Sequence, residues 1–370
     1  MKIKAKFILW PLLAWGIIFL GSEWWNSHPK VVIPTPLSAQ TKSEKIDSLA
    51  ISTLNENLLS GLSVAIIEDS KISYKKAFGF YKLNEKDSLK PSTVIPVASI
   101  SKLFTSLTLA GYLDTLGIIV TDPISILNIP EISADSDLGK LSFEQLLRHQ
   151  SGIHDQSLFQ RITTRKASFS IEEFGHELIS NSENLESDKS YQYSDSNFDF
   201  IGYLLEKSSG QAFQELVQTS MLDHLGMVDS RFNTESIIEY GYRKTRIWKR
   251  IKPSPIQFSL VPSPSSGLET TLDDLSKGLI QLTRGDLGLL EKELKWLQTS
   301  SELPPAGFQA ITLDGHKMIG HFGAQSGFSS LIVFDPIQKT GILILSNTRE
   351  INDFRINLAS QIYTLLLKSP

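Results

Sequence analysis

The sequence predicts an α+β fold, an α/β sandwich: an antiparallel sheet built from N- and C-terminal segments and flanked by helices, with a mainly helical region inserted. Three observations carry this. Runs of strand composition lie near both ends of the chain, helical periodicity with long loops fills the middle, and no internal repeat interrupts the plan. From Ile46 onward, Leu49, Ala50, Leu54 and Leu58 share one helical face, and Gly61 is expected to stop that helix. Leu62 to Ile67 and Ile72 to Phe80 read as two strands of a hairpin, joined by the turn-like Glu68, Asp69, Ser70 and Lys71. After Pro96, the segment Ser99 to Leu113 is helical, with Leu103, Leu107 and Ala110 on a buried stripe. Residues from about 115 to 250 read as short helices and loops, broken at Asp122-Pro123, Ser151-Gly152 and Ser209-Gly210. Ser326 to Phe334 and Gly341 to Leu345 return to strand around the turn Asp335-Pro336, and Ile351 to Leu367 closes as a helix. A cleft between the sheet part (about 45–115 and 255–367) and the helical part (about 116–254) is the expected site.

Composition removes several function classes. The 370 residues are 41% hydrophobic and 21% charged, enough for a buried core and unlike a disordered chain. Net charge is −4, so no global field draws the protein to nucleic acid. The exception is the basic stretch Arg243, Lys244, Arg246, Lys249, Arg250 and Lys252, a solvated loop or a binding patch. Cysteine is absent, which excludes disulfides, thiolate nucleophiles and cysteine-held clusters. Lys2, Lys4 and Lys6 precede a stretch without charge from Phe7 to Ser22, the layout of an export signal or an N-terminal membrane anchor over residues 1–22. Trp24 and Trp25 suit a membrane interface, so membrane contact is expected through residues 7–25. Residues 23–44 read as a linker, Pro-, Ser- and Thr-rich over 26–40, that holds a folded domain at 45–367 off the membrane. The expected location is the cell envelope, periplasmic or extracellular.

Seven histidines are present, but none forms an HExxH pair or an HxHxD cluster, which argues against a zinc hydrolase. GxGxxG, the P-loop and a complete GxSxG elbow are also missing, and neither a metal nor an organic cofactor is called for. A serine three residues before a lysine offers different chemistry, because on a helix the amine reaches the hydroxyl, and an uncharged amine is able to take its proton. The spacing occurs at Ser27/Lys30, Ser73/Lys76 and Ser99/Lys102. Ser27 precedes a proline in the expected linker, and Ser73 lies on an expected strand, where i and i+3 face opposite ways. Only Ser99 and Lys102 open a helix, whose N-terminal N–H groups favour an oxyanion.

The stretch Val97 to Thr105, with Ser99 and Lys102, resembles the SxxK box of the serine β-lactamase and penicillin-binding-protein superfamily, in its class C β-lactamase, D-alanyl-D-alanine peptidase and esterase branch. Leu146 to Gly152 resembles the family's LLxHxSG loop, and Tyr193-Ser194-Asp195 with Phe198 and Gly202 its Tyr box. Asp122-Pro123, Ser266-Gly267-Leu268 and Leu345-Ser346-Asn347 also match recurring stretches in order, over about residues 45–367.

The resemblance implies a β-lactamase/transpeptidase-like fold and an exported serine hydrolase that forms an acyl-enzyme on an amide, peptide or ester carbonyl. Ser99 would be the nucleophile, Lys102 and Tyr193 the proton movers, and the backbone N–H groups of Ser99 and Ala324 the oxyanion hole. The third box, KTG or HxG in the family, has two matches here, Lys339-Thr340-Gly341 and His321-Phe322-Gly323. Two strands and a helix should follow it, which selects the second and leaves Lys339 to a hairpin turn. His321 would then present a donor imidazole, cationic in one form, to the substrate. The usual YxN is YxD here, and an ionised Asp195 has no proton for a substrate carbonyl, although it is able to hold Lys102 or Tyr193 in place. His149 reads as structural. A β-lactamase or D-Ala-D-Ala peptidase specifically, and a catalytically silent penicillin-binding-like envelope protein, are the alternatives.

Overall fold

The computed structural model describes residues 6–36, 38–155, 168–182, 185, 190–285, 288–298, 304–349 and 352–367. The chain opens with helix α1 (Lys6–Trp25), α2 (Lys42–Asn57) and strands β1 (Gly61–Glu68), β2 (Lys71–Lys82) and β3 (Asp87–Ser88). A single 3₁₀ turn, Ala98–Ile100, runs directly into α3 (Ser101–Thr115). In the inserted region the elements that matter for the site are α4 (Asp195–Ser209) and a hairpin of β4 (Tyr242–Lys244) and β5 (Ile251–Pro253). Then follow α5 (Leu272–Arg284), β6 (Gln309–Leu313), β7 (His316–Gln325), β8 (Phe328–Asp335), β9 (Thr340–Ser346) and α6 (Phe354–Leu367).

Seven of the described strands form one antiparallel sheet in the order β6-β7-β8-β9-β1-β2-β3. The pairing of β1 with β9, Ser63 opposite Leu345 and Ala65 opposite Leu343, sews the two ends of the chain together as expected. Alternate residues of β1 reach opposite faces, and both faces are covered. Leu62, Val64 and Ile66 pack with Ile46, Ala50 and Leu54 of α2 and Leu358 and Ile362 of α6. Ala65 and Ile67 join the larger cluster that includes Leu103 and Leu107 of α3 and Leu275 and Leu279 of α5. Each buried aliphatic side chain contributes about 1.5–3 kcal/mol against exposure, so this double cover fixes the central strands.

Several local expectations change. Helix α2 starts at a capping box, in which Thr41 Oγ1 accepts the Glu44 N–H and the Glu44 carboxylate accepts the Thr41 N–H. It ends at Leu58, whose left-handed conformation (φ 56°) closes the last turn three residues before Gly61. The terminal helix begins at Phe354; Ile351 lies outside the described residues. Strand β6 was not expected, since its Gln309, Ala310, Ile311, Thr312 run is short and mixed in polarity. The stretch after α1, expected to be a free spacer, lies on the body instead: Asn55 Oδ1 accepts the Ile33 N–H and His28 pairs with Ile251. The basic stretch is the β4–β5 hairpin. Among the described residues no helix is long and apolar enough to cross a membrane; Lys2 and Lys4 lie outside them.

Candidate active site

Ser99 lies in the 3₁₀ turn, one step before the α-helix it was expected to open. The pair spans the junction, Ser99 on the 3₁₀ turn and Lys102 on the first turn of α3, and the i, i+3 spacing keeps both side chains on one face. Lys102 Nζ donates to Ser99 Oγ at 3.2 Å. The turn is pinned from both sides. Ser101 Oγ donates to the Ala98 carbonyl at 2.6 Å and accepts the Leu268 N–H at 2.9 Å. Ala98 itself has a positive φ of 49°, a conformation that costs a residue with a side chain about 1–2 kcal/mol.

Lys102 is fully buried, and its ammonium has three acceptors: Ser99 Oγ, the Ser265 carbonyl at 3.0 Å and Asp195 Oδ1 at 2.7 Å. Burial alone would strip the proton. The Asp195 charge and hydrogen bond, helped by Tyr193, outweigh it and lift Lys102 above the ordinary lysine value. The uncharged amine expected from the sequence is therefore corrected: the resting side chain is an ammonium. Asp195 meets the lysine by standing first on α4, and it remains partly open to solvent. It thus takes the positioning role, held in an ion pair.

Tyr193 stands just before Ser194, the N-cap of this helix, and its ring lies 5.1 Å from Lys102 Nζ and 6.4 Å from the His321 ring. His149, set aside as structural, is tilted against Tyr193 at 4.5 Å between ring centroids and accepts the Ser194 N–H on Nδ1. It therefore fixes the phenol. Desolvation and the nearby Lys102 charge lower His149 to about 4, so it is neutral. His321 comes in from β7, but it offers the substrate neither a ring N–H nor a cation. Its Nδ1 lies 2.6 Å from the Phe322 carbonyl, a contact that places the ring proton on Nδ1 and leaves Nε2 as an acceptor. Burial and Lys102 lower His321 to about 3.

Gly323 brings β7 against the nucleophile turn. A Cβ there would meet the Val97 carbonyl and Ser330 Oγ, and that same hydroxyl donates to the Val97 carbonyl at 2.8 Å. Arg355 of α6 steadies the strand by donating to the carbonyls of Gly323 and Ser330. Strand β6 covers β7 only as far as Gly320, so among the described residues the outer edge of 321–325, with Ala324 exposed on it, has no strand partner and faces the 3₁₀ turn. Lys339 sits in the tight turn between β8 and β9 with φ 49°, away from this edge.

Two residues escaped the sequence reading. Asp199, one helical turn beyond Asp195, is buried and accepts the Ser265 N–H at 2.9 Å; desolvation and the Asp195 charge raise it to about 7. Ser265 thereby links Asp199 to Lys102 through its own backbone. The i, i+4 spacing of two carboxylates on an apolar helix was the available signal. A cavity of about 660 Å³ opens beside the cluster, lined by Arg148, His149, Tyr191, Phe308 and His321 among others. No group of acidic, histidine or cysteine residues suited to a metal ion occurs among the described residues.

A serine, a buried cation, a phenol and an open strand edge on this sheet define the serine β-lactamase and penicillin-binding-protein class. Residues 47–364 match the family described as Beta-lactamase, and the chain belongs to that family. It is 23% identical over 317 residues to Protein flp of Staphylococcus aureus, aligning 82% of this chain with 63% of that protein. It is 24% identical over 318 residues to a D-aminopeptidase of Gluconobacter oxydans, aligning 78% with 55%. The chain thus spans less than two thirds of the length of these curated relatives. Among solved structures, the octameric penicillin-binding protein homologue of Pyrococcus abyssi superposes with a TM-score of 0.71 at 22% identity, over 87% of this chain and 77% of that one. The class C β-lactamase of Rhodobacter sphaeroides gives 0.69 at 16% identity, over 88% and 100%. These likenesses establish the fold.

Proposed function

We propose that the protein is an exported serine hydrolase of the cell envelope that forms an acyl-enzyme on Ser99 from an amide, peptide or ester substrate. The observation that carries this is the 3.2 Å contact between Ser99 Oγ and the buried Lys102 ammonium. Ser99 Oγ attacks the carbonyl carbon. Lys102, as an ammonium bonded to Ser99 Oγ, holds the hydroxyl in place, and Tyr193, its ring 5.1 Å from Lys102 Nζ, relays the hydroxyl proton to the leaving group. The N–H groups of Ser99 and Ala324 are the candidates for the oxyanion hole; loss of one such donor costs about 10²–10³ in rate. Water then releases the acyl group. The basic and apolar segments at the N-terminus support export.

The D-aminopeptidase among the relatives makes short peptides the first substrates to test, with β-lactams and small esters beside them. Asp195 favours a second reading, a silent penicillin-binding-like protein, because an ion-paired carboxylate replaces the amide donor of the usual motif. A fluorescent fluorophosphonate or penicillin should label the purified protein. Ser99→Ala should abolish labelling and Ser73→Ala should retain it. Labelling without turnover of nitrocefin, a p-nitrophenyl ester or a D-Ala-D-Ala peptide selects the silent reading, and labelling that survives Ser99→Ala rejects both.

A further inference from the structure

Helix α1 and the β4–β5 hairpin form a surface that the chemistry above leaves unused. At the end of α1, Glu23 is 2% exposed. Its carboxylate accepts from Arg243 Nη2 at 3.1 Å and from the Arg246 N–H at 3.3 Å, and lies 3.5 Å from Lys252 Nζ. Trp248 donates its indole N–H to the Leu20 carbonyl and meets Trp24 edge-on at 5.5 Å. The Arg250 guanidinium covers Trp24 at 4.3 Å and donates to Ser27 Oγ and to the Ser27 carbonyl. His28 then adds a two-bond bridge to Ile251, with distances of 2.6 and 3.0 Å. A buried carboxylate shared by two cations, with paired indoles and a strand bridge, is a built joint; removing Glu23 would leave the two cations without their carboxylate.

The rest of α1 lacks such cover. Trp10, Trp15, Ile18 and Trp25 are exposed, and so is Ile247 at the hairpin tip, with Arg246 and Lys249 beside it. A helix without charge from Phe7 to Ser22 belongs in a core or in lipid, and among the described residues no core covers it. The indoles of Trp24, Trp25 and Trp248 gather at the end of α1 beside the cations of the hairpin, an arrangement that fits the headgroup region of an anionic bilayer.

We propose that the N-terminal helix is retained, that the β4–β5 hairpin is its clasp, and that helix and hairpin tip together bind an anionic lipid bilayer, fixing the attitude of the body to the membrane. The absence of cysteine makes the test direct. Full-length Ile247→Cys and, on the distant β8–β9 turn, Ile337→Cys are labelled with an environment-sensitive dye and mixed with phosphatidylcholine vesicles with or without phosphatidylglycerol. The label at 247 should shift to the blue and be quenched by nitroxide lipids, and the label at 337 should do neither. Arg246→Ala with Lys249→Ala should lower affinity for the anionic vesicles roughly 30-fold and leave neutral vesicles unaffected. Glu23→Lys should keep the chain on vesicles through α1 while the response at 247 falls at least fivefold; if that variant misfolds, Trp248→Ala supplies the same readout. The proposal is overturned if the chain sediments with vesicles and position 247 stays silent, which would make α1 a loose tether. It is also overturned if the 247 label shifts with protein concentration alone, which would mean a second copy covers the patch, or if the mature protein isolated from cells begins after Glu23.

Discussion

Lys102 has no contact with solvent and still keeps its proton, so its charge depends on its neighbours, Asp195 first among them. The spacing of Ser99 and Lys102 was legible because it is local: three residues on one turn fix the reach of the amine. The charge state was not, since it depends on a carboxylate ninety-three residues away and on the Ser265 carbonyl. The same reason hides the state of His321, whose proton is set by the adjoining Phe322 carbonyl and whose burial comes from other segments. Asp195→Asn keeps an acceptor beside Lys102 but removes the anion that holds its proton against burial. The alkaline limb of the pH profile of acylation, where Lys102 loses its proton, should move to lower pH, and β-lactam turnover should rise because the amide now has protons to donate. An unchanged limb in a probe-labelling series across pH would count against the ion pair as the setting of the site. For His321, nitrogen NMR at about pH 5 should show a neutral ring protonated on Nδ1, since its value lies near 3. An imidazolium spectrum would contradict the assignment.

At the scale of elements, the β1–β2 hairpin, α3 and the strands β8 and β9 were legible because their apolar residues keep a clear period and their turns carry Asp, Ser or Pro, whereas β7 was expected only through the family resemblance. Strand β6 was not, because an edge strand next to solvent has little apolar signal and owes its existence to the ladder with β7. Nor was the 3₁₀ turn at Ser99, which is held by Ser101, Leu268 and Ser330, partners that no local pattern reveals. Gly323 shows how tightly the turn and the strand fit. A methyl group there collides with a backbone carbonyl, which has no freedom to swing aside as a side-chain tip would. Gly323→Ala should therefore cost about 1–3 kcal/mol in urea unfolding and, by pushing Val97 and Ala98 away from β7, lower probe labelling of Ser99 by at least tenfold. A variant of wild-type stability and full labelling would mean that the close approach has no role in placing the serine. At the other end of the sheet, Thr41→Ala should cost about 1 kcal/mol through loss of the α2 cap, with labelling unchanged.

At the scale of the whole molecule, the ordered succession of short boxes conveyed the fold, while the pH response of stability comes from groups that those boxes do not contain. Asp199 and the two histidines act in opposite directions. His149 and His321 are neutral in the folded protein and lowered to about 4 and about 3, so their contribution is complete above the ordinary histidine value of 6.5 and is lost as pH falls through the folded values. Asp199 is raised to about 7, so its contribution is complete below the ordinary value of 3.8 and is withdrawn as pH rises through about 7. Between about pH 4 and 6.5 the two histidines outweigh the one carboxyl, so these three groups together still make stability rise with pH, less steeply than the histidines alone would. Asp199→Asn preserves the acceptor for the Ser265 N–H and abolishes the ionisation. Its stability relative to wild type should climb by up to about 1.4 kcal/mol per pH unit between about pH 4 and about pH 7, then level off. His321→Asn should gain on wild type in the opposite direction, as pH falls below about 6. Urea midpoints at a series of pH values measure both. A difference between Asp199→Asn and wild type that stays constant with pH would mean that the carboxyl keeps an ordinary value in its burial site, and the link from Asp199 through Ser265 to Lys102 would then be a contact without electrostatic consequence.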